Sequence, residues 1–174
     1  MQIPHDPDQI IAVVDENDKI VGKDSRKAIH TGGKLHRETF VLIVNEKNEI
    51  LIQERIDNGK LDLSAAGHFS VDEDYLDGAI REMEEELGLE ISKEKLDRIF
   101  KRRMDHSGLH AVKRFVTLFE VKGKYDISDM KIDYSEVKNI SYYPIRELKE
   151  IIKNHPEKMT HGLRESLEIY FEKF

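Results

Sequence analysis

Short apolar runs separated by polar turns predict β-strands in the first third of this chain. Residues 10–14 and 19–22 flank four polar residues, which is typical of a β-hairpin. Residues 39–44 and 50–54 predict a second hairpin of the same kind. The polar segment 24–37 between the hairpins is interpreted as a connection with one helical turn.

A helical periodicity replaces the strand pattern near the middle of the chain. Apolar residues recur there at i, i+3, i+4, i+7 and i+11, which places them on one face of a helix. These residues are Leu76, Ala79, Ile80, Met83 and Leu87. Gly88 follows them as a candidate C-cap. We therefore predict an amphipathic helix that ends near residue 88.

Further strands and two terminal helices complete the predicted fold. The strands are expected at residues 61–66, 96–104, 112–121 and 137–143. Pro144 in a first turn predicts a helix to about residue 153, and Thr160 as N-cap predicts a last helix to residue 170 or beyond. This order predicts an α+β domain with a mixed sheet covered on both faces.

Three carboxylates of the central helix suggest a metal site. Glu82, Glu85 and Glu86 are spaced i, i+3 and i+4, so a helix brings them onto one strip, where like charges repel each other. A divalent cation that also binds a diphosphate would turn this repulsion into a binding site, and Mg²⁺ prefers such oxygen ligands. Arg81, four residues before Glu85, can pair with it. Glu84 projects elsewhere and is not counted as a ligand.

The segment from residue 67 to residue 89 resembles the Nudix box, the signature of the Nudix hydrolases. The fixed positions of that signature are a glycine, a glutamate, an Arg-Glu pair, an aliphatic residue, a Glu-Glu pair, a glycine and an aliphatic residue. They correspond here to Gly67, Glu73, Arg81, Glu82, Met83, Glu85, Glu86, Gly88 and Leu89. The resemblance implies an α/β/α sandwich with a mixed sheet, in one domain over residues 1–174. It contains a hairpin at about 10–22, the box at 67–89 and C-terminal helices at about 144–174.

The N-terminal half is also similar to the isopentenyl-diphosphate isomerase branch of this superfamily. Shared features include the stretches 35–40 and 64–68 and the histidines His30, His36 and His68, which match a metal site of the isomerases. The isomerases carry a cysteine before the box glycine, where this chain has Ala66, and glutamates on a later strand, where we find no pair in 110–119. The intact box and these departures favour hydrolysis. Whether the three histidines form a second metal site stays open, and we favour a structural or vestigial role.

The resemblance implies Mg²⁺- or Mn²⁺-dependent cleavage of a diphosphate linkage in a nucleoside diphosphate derivative. The metal ligands would be Glu82, Glu85, Glu86 and the carbonyl of Gly67. The catalytic residues would be Glu86, Glu85 and Arg81. Either glutamate could act as general base, and Asp105 and His106 on a later loop are alternatives. Candidate substrate-binding residues are Arg55, Lys60, His68 and Arg37.

The composition of the chain limits the kinds of molecule that it is expected to bind. The net charge is −7, which disfavours general binding to nucleic acid or to an anionic membrane. The chain has no cysteine, which excludes disulfides, thiolate metal sites and a cysteine nucleophile. The first residues show neither a signal peptide nor a membrane span, so we expect a cytoplasmic protein with a small phosphoanhydride substrate. A homodimer is compatible with the resemblance.

Other functions are weighed against this prediction. An isopentenyl-diphosphate Δ-isomerase is disfavoured by Ala66, because alanine cannot transfer a proton. A nucleotide-sensing domain without catalysis would not need the intact carboxylates. Removal of an RNA cap would need a basic channel, of which we see only short runs such as 101–103. Five tyrosines could stack on a base, although each is more simply explained by packing; they are Tyr75, Tyr125, Tyr134, Tyr142 and Tyr143.

Overall fold

The computed structural model describes residues 6–107 and 112–173, which contain nine strands and four helices. The strands are β1 (Ile10–Val14), β2 (Ile20–Ser25), β3 (His36–Val44), β4 (Glu49–Arg55), β5 (Leu61–Asp62), β6 (Ala65–Gly67), β7 (Leu96–His106), β8 (Val112–Lys122) and β9 (Val137–Pro144). The helices are α1 (Arg26–Gly32), α2 (Tyr75–Leu87), α3 (Ile145–Asn154) and α4 (His161–Lys173). Within these residues, no helix combines the length and the apolar character needed to cross a bilayer.

A mixed sheet of seven strands forms the centre of the domain. Its main path runs β5-β4-β3-β8-β7, while β6 pairs with β3 and β9 pairs with β4. Strands β3 and β8 are parallel over nine residue pairs, from His36↔Arg114 to Val44↔Lys122. The other pairings in this sheet are antiparallel. The predicted α+β fold with a mixed sheet is therefore confirmed.

Alternating side chains of β3 divide the core into two layers. Phe40, Leu42 and Val44 pack in one buried cluster with residues of α3 and α4. Val41 and Ile43 pack in a second cluster with residues of α2. Because successive side chains of a strand point to opposite faces, a single strand can supply both layers. Each fully buried aliphatic side chain contributes about 1.5–3 kcal/mol, so the sheet is held from both faces.

The predicted second hairpin is present, but its pairing is confined to the end next to the turn. Strands β3 and β4 follow each other across a turn, but they share only the pair Val44↔Ile50. The strands then separate, because β6 pairs with β3 and β9 pairs with β4. Ser64 bridges the gap: its hydroxyl oxygen accepts a hydrogen bond from the backbone of Ile43 at 2.8 Å and its hydroxyl donates to the carbonyl of Leu51 at 2.6 Å. The predicted strand 61–66 is consequently two short strands, β5 and β6.

The predicted polar connection at 24–37 is wrong in its extent, since it contains a helix of seven residues. Ser25 caps α1, with its hydroxyl oxygen accepting a hydrogen bond from the backbone of Ala28 at 3.2 Å. Gly33 ends the helix at φ 59°, a left-handed conformation that glycine adopts readily. Ile29 is fully buried and anchors the helix. Thr160 caps α4 as predicted, its hydroxyl accepting from Leu163 at 3.1 Å.

Candidate functional site

The helix α2 presents one apolar face to the core and one acidic strip to a cavity. Asp74 caps its first turn by accepting hydrogen bonds from Leu76 and Asp77, each at 2.9 Å. Gly88 ends it at φ 66°. The predicted apolar face is buried, including Ala79, Met83 and Leu87. The local sequence thus fixes both ends and the rotation of the helix that carries the carboxylates.

Two of the three predicted carboxylates are buried, Glu82 against β6 and Glu86 against Gln53 of β4. Glu82 and Glu86 are 8% and 5% exposed, whereas the side chain of Glu85 is 39% exposed. Gly67 lies so close to Glu82 that a Cβ at residue 67 would be 2.4 Å from the carboxylate carbon. Only glycine fits at this position without displacing the carboxylate.

Burial changes the acidity of both carboxyl groups. It raises the pKa of Glu82 to about 8, with the carboxylates of Glu85 and Glu136 adding to the effect and Arg81 opposing it. Burial and the neighbouring Glu82 raise the pKa of Glu86 well above its usual range. The amide of Gln53 donates a hydrogen bond to Glu86. At neutral pH and without a cation, burial therefore favours the protonated form of these carboxyl groups, and a cation bound between them would favour the ionised form.

Arg81 holds the acidic strip in place. Its guanidinium contacts Glu73 at 3.0 Å, Glu82 at 3.0 Å and Glu85 at 2.8 Å. It also donates a hydrogen bond to the carbonyl of His68 at 2.7 Å. One side chain thus fixes the loop after β6 to the helix α2, and the predicted pairing of Arg81 with Glu85 is present.

A cavity of about 550 Å³ opens above these carboxylates. Seven of the nine predicted site residues line it, namely Arg55, Lys60, Gly67, His68, Arg81, Glu82 and Glu85. Glu86 lies beneath the surface, bonded to Gln53. Arg37 is not among the described residues that line the cavity, because its guanidinium binds Asp18 at 2.7 Å and lies 5.5 Å from the ring centre of Tyr75.

The predicted phosphate-binding arginine, Arg55, also has acidic partners. Its guanidinium binds Asp57 at 2.9 Å and Asp62 at 3.1 Å. The hydrogen bond to Asp57 raises the pKa of Arg55 above its usual range, so the group stays charged. Of the two predicted alternative bases, His106 lines the cavity, while Asp105 binds Arg103 at 2.8 Å.

A second polar cluster adjoins the same cavity. His30, His36, Glu38 and His68 each offer a ligand atom, and these atoms all lie within 4.8 Å of one another. The three imidazole rings are 5.0–5.1 Å apart, centre to centre. Burial lowers the pKa of His68 to about 3, so its ring is neutral and can offer a lone pair. Three imidazoles and a carboxylate are a donor set that suits zinc, manganese or iron.

The second cluster contains its own counter-charge. Glu38 is 5% exposed, and Arg114 binds it at 2.7 Å. Burial alone would raise the pKa of Glu38, but the guanidinium of Arg114 holds it well below its usual range. Glu38 therefore remains ionised at neutral pH, next to three histidines.

Sequence reasoning missed four residues of these sites: Gln53, Glu136, Glu38 and Arg114. Glu38 and Arg114 are 76 residues apart and meet only because β3 and β8 run parallel. Glu38 lies two residues after His36, and both side chains point to the same face because β3 begins at His36, three residues before the predicted start of that strand at residue 39. None of the five tyrosines considered for base stacking lies among the described residues that line the cavity.

The chain belongs to the Nudix family. A sequence model of the NUDIX domain matches residues 34–166, which include the box, most of the residues that line the cavity and the whole seven-stranded sheet. The family therefore agrees with the resemblance recognised from residues 67–89.

Curated relatives place the chain near two kinds of protein. A prenyl-diphosphate phosphatase of Methanosarcina mazei is 27% identical over 91% of this chain and 92% of its own length. An isopentenyl-diphosphate Δ-isomerase of Pectobacterium atrosepticum is 28% identical over 86% and 84% of the two chains. A Nudix hydrolase of Pseudomonas aeruginosa without a characterised function is 38% identical over 47% of this chain and 51% of its own. In that last comparison, the chain spans about half the length of its relative.

Solved structures share the fold. The crystal structure of DR0079 from Deinococcus radiodurans superposes with a TM-score of 0.72 at 20% identity, over 92% of this chain and 98% of that one. The MutT protein of Methanosarcina mazei gives 0.62 at 22% identity, over 80% and 94%. These likenesses establish the α/β/α sandwich of the Nudix fold for this chain.

Proposed function

We propose that this protein is a divalent-metal-dependent hydrolase that cleaves the diphosphate linkage of a nucleoside diphosphate derivative. The observation that carries the proposal is the pair Glu82 and Glu86. Both carboxylates are buried: Glu82 lies beside Gly67 and lines a cavity that Arg55 and Lys60 also line, and Glu86 lies beneath the cavity surface, bonded to Gln53. Buried carboxylates with raised pKa values and too little counter-charge are suited to a cation and, through it, to a diphosphate.

The donor set fits Mg²⁺ or Mn²⁺. Glu82, Glu85 and Glu86 supply the hard oxygen ligands that these ions prefer, and Gly67 leaves the space beside Glu82 free of any side chain. Such a cation supplies Lewis-acid chemistry, because it neutralises phosphate charge and makes an attacking water more acidic.

The protein residues would position the substrate and move a proton. Arg81 holds Glu82 and Glu85 in place, and Arg55 and Lys60 would bind phosphate oxygens at the cavity wall. Glu86 or Glu85 would accept the proton from water. His106 and Glu136, which line the same cavity, are the alternatives that the geometry supports.

Ala66 favours hydrolysis over isomerisation. It lines the cavity directly before Gly67, at the position where the isomerases would need a side chain that transfers a proton. A methyl group cannot do this. A short prenyl diphosphate is nevertheless a second candidate substrate for hydrolysis, since the full-length match in Methanosarcina mazei is named for that activity and Phe40 and Val112 give the cavity an apolar portion.

The test is a substrate panel with Mg²⁺ or Mn²⁺. It contains nucleoside di- and triphosphates, nucleotide sugars, dinucleoside polyphosphates, and isopentenyl and dimethylallyl diphosphate. We expect hydrolysis of at least one compound, and a loss on the order of 10³-fold in kcat for Glu86→Gln, equivalent to about 4 kcal/mol of transition-state stabilisation. Glu84→Gln is the matched control, because Glu84 lies on the exposed face of the same helix.

Two results would contradict the proposal. Nucleotide binding without turnover by any metal-loaded sample would favour a sensor. Conversion of isopentenyl to dimethylallyl diphosphate would show that Ala66 does not exclude isomerisation.

The cluster of His30, His36, His68 and Glu38 is proposed as a second divalent-metal site. Glu38 on β3 would supply the carboxylate ligand that the isomerases take from a later strand. Elemental analysis of the protein as purified should give close to one equivalent of Zn, Mn or Fe, falling at least tenfold in His36→Gln. His155→Gln, at an exposed histidine, should keep the metal. An equal metal content in all three proteins would assign the cluster a structural role.

The remaining expectations concern the protein as a whole. We propose that the hairpin, the box and the C-terminal helices belong to one domain. A small phosphoanhydride remains the expected partner, and nucleic acid and membrane do not. A cytoplasmic location and a homodimer stay predictions, the second testable by light scattering.

A further inference from the structure

Three basic side chains meet where β7, β8 and α4 come together at the cavity. The rings of His106 and His161 are 4.5 Å apart, centre to centre. Gly162, directly after His161, packs against Arg114, since a Cβ at residue 162 would be 3.3 Å from Nη2 of the arginine. These three basic side chains line the same cavity as Glu82. We call them the basic cluster.

The basic cluster contains buried nitrogen atoms that have no hydrogen-bond partner among the described residues. Arg114 binds Glu38 through Nη1 at 2.7 Å, but its buried Nε has no partner among the described residues. The buried Nδ1 of His161 likewise has none within 6–107 and 112–173. Nε2 of His161 lies 3.7 Å from Glu165, which is too long for a hydrogen bond. Buried polar atoms left without a partner cost free energy unless a ligand satisfies them.

The charges around His161 also favour a bound anion. Burial lowers the pKa of His161, and the neighbouring His106, Arg114 and Arg164 lower it further, while Glu168 opposes them. His161 is also the first residue of α4, where the helix dipole disfavours a positive charge. An anion placed between these groups would relieve all of these repulsions at once.

We propose that the basic cluster is a subsite for a phosphate group on the part of the substrate that is not cleaved. The inference rests on the proposed function and deepens it. Because the acidic strip of α2 and the basic cluster line one cavity, a compound with a diphosphate linkage and a further phosphate can occupy both. The substrate class is accordingly a nucleoside diphosphate derivative that bears an additional phosphomonoester.

The first experiment measures binding of inorganic phosphate by calorimetry, with EDTA present so that no metal assists. The wild-type protein should bind phosphate, and His161→Gln and His106→Gln should weaken binding about tenfold or more. His155→Gln, an exposed histidine paired with Glu157, is the matched control and should bind as wild type does. Circular dichroism verifies the fold of each variant.

The second experiment measures selectivity with pairs of substrates that differ by one phosphate. Coenzyme A with dephospho-coenzyme A, and NADP⁺ with NAD⁺, are suitable pairs. The ratio of kcat/KM for the phosphorylated over the unphosphorylated member should exceed one and fall about tenfold in His161→Gln, through KM. If His106 is instead the general base, His106→Gln lowers kcat for both members and leaves the ratio unchanged, and the proposal loses that residue.

Three outcomes separate this inference from the proposed function. Phosphate binding that is equal in wild type, His161→Gln and His106→Gln overturns the subsite. Binding that requires His161 but gives no preference for the phosphorylated member overturns the substrate assignment, and makes free phosphate the ligand. Binding that requires His161 in a protein that hydrolyses nothing supports the subsite, while the proposed hydrolase fails.

Discussion

Two buried clusters of ionisable residues face one cavity, and they differ in how their charge is balanced. Glu38, in the histidine cluster, is paired with Arg114 and its pKa is held well below the usual range. Glu82 and Glu86, in the Nudix box, have raised pKa values because they are buried and because other carboxylates lie beside them. The comparison shows that ligand-type residues alone do not indicate which cluster depends on a cation.

The difference has a structural origin. In the histidine cluster, the positive charge comes from the guanidinium of Arg114 on the neighbouring strand β8, where Arg114 is in register with His36. Among the described residues, Arg81 is the cation that contacts the box carboxylates, and three glutamates share it. Glu38 is therefore stabilised in its ionised form by the protein itself, whereas the box carboxylates would gain most from a bound cation.

The largest expected effect comes from removing the guanidinium of Arg114, which balances the charge of Glu38. Arg114→Gln leaves Glu38 charged and buried without its partner, so we expect a loss of about 3–5 kcal/mol in the free energy of unfolding at pH 7. Chemical denaturation measures it. Arg146→Gln, which breaks an exposed pair with Glu150, should cost less than about 1 kcal/mol. A loss below about 1 kcal/mol for Arg114→Gln would show that Glu38 simply takes up a proton.

The acidic box should make stability depend on pH in the absence of metal. A carboxyl group whose pKa is higher in the folded than in the unfolded state stabilises the fold at low pH, and this stabilisation is lost as pH rises through the folded value. For Glu82 that value is about 8. His68, with its pKa lowered to about 3, acts oppositely but only below its ordinary value of 6.5. Between pH 6.5 and 8, a change in the free energy of unfolding therefore reports on the carboxylates of the box and not on His68.

We expect the free energy of unfolding in EDTA to fall by about 1–2 kcal/mol between pH 6.5 and 8, since one group contributes at most about 1.4 kcal/mol per pH unit. Saturating Mg²⁺ should remove most of this fall, and Glu82→Gln should reduce it. Glu84→Gln serves as the control. A stability that is flat over this window in EDTA would show that the box is balanced without metal.

The smallest expected effect tests the space beside Glu82. Gly67→Ala puts a Cβ 2.4 Å from the carboxylate carbon and should displace that ligand, weakening Mg²⁺ binding about tenfold, or about 1.4 kcal/mol. Gly22→Ala is the matched control, because a Cβ there meets no atom within 4 Å. Calorimetric titration with Mg²⁺ distinguishes them, and equal affinities would exclude Gly67 from the metal site.

The sequence predicted what depends on local pattern. The helix α2, its C-cap Gly88 and the acidic strip follow from residues 76–88, so periodicity and the box signature were sufficient, whereas the N-cap Asp74 was not predicted. Thr160 and the terminal helices were predicted for the same reason. The α1 helix was underestimated, although Ser25 and Gly33 are ordinary helix-capping signals in that segment.

What the sequence did not predict depends on long-range strand pairing. The separation of β3 from β4 arises because β6 and β9 take over their edges, and no local signal specifies that exchange. The contact between Glu38 and Arg114 follows from the parallel register of β3 and β8. The basic cluster depends instead on the antiparallel pairing of β7 with β8 and on the position of α4. Glu136 comes from the segment before β9 and reaches the cavity only in the folded chain.

The cavity is walled by parts of the chain with unequal freedom to vary. The proposed metal-binding residues lie on β6 and α2, which pack against the core, whereas several other lining residues belong to the turn at 55–60 and the start of α4. Surface turns tolerate substitution and insertion far better than core elements do. Substitutions in the turn at 55–60 and at the start of α4 are therefore expected to change which substrate is accepted, while the residues of the box keep the same chemistry. A library randomised in these two segments should be richer in altered specificities than in inactive proteins.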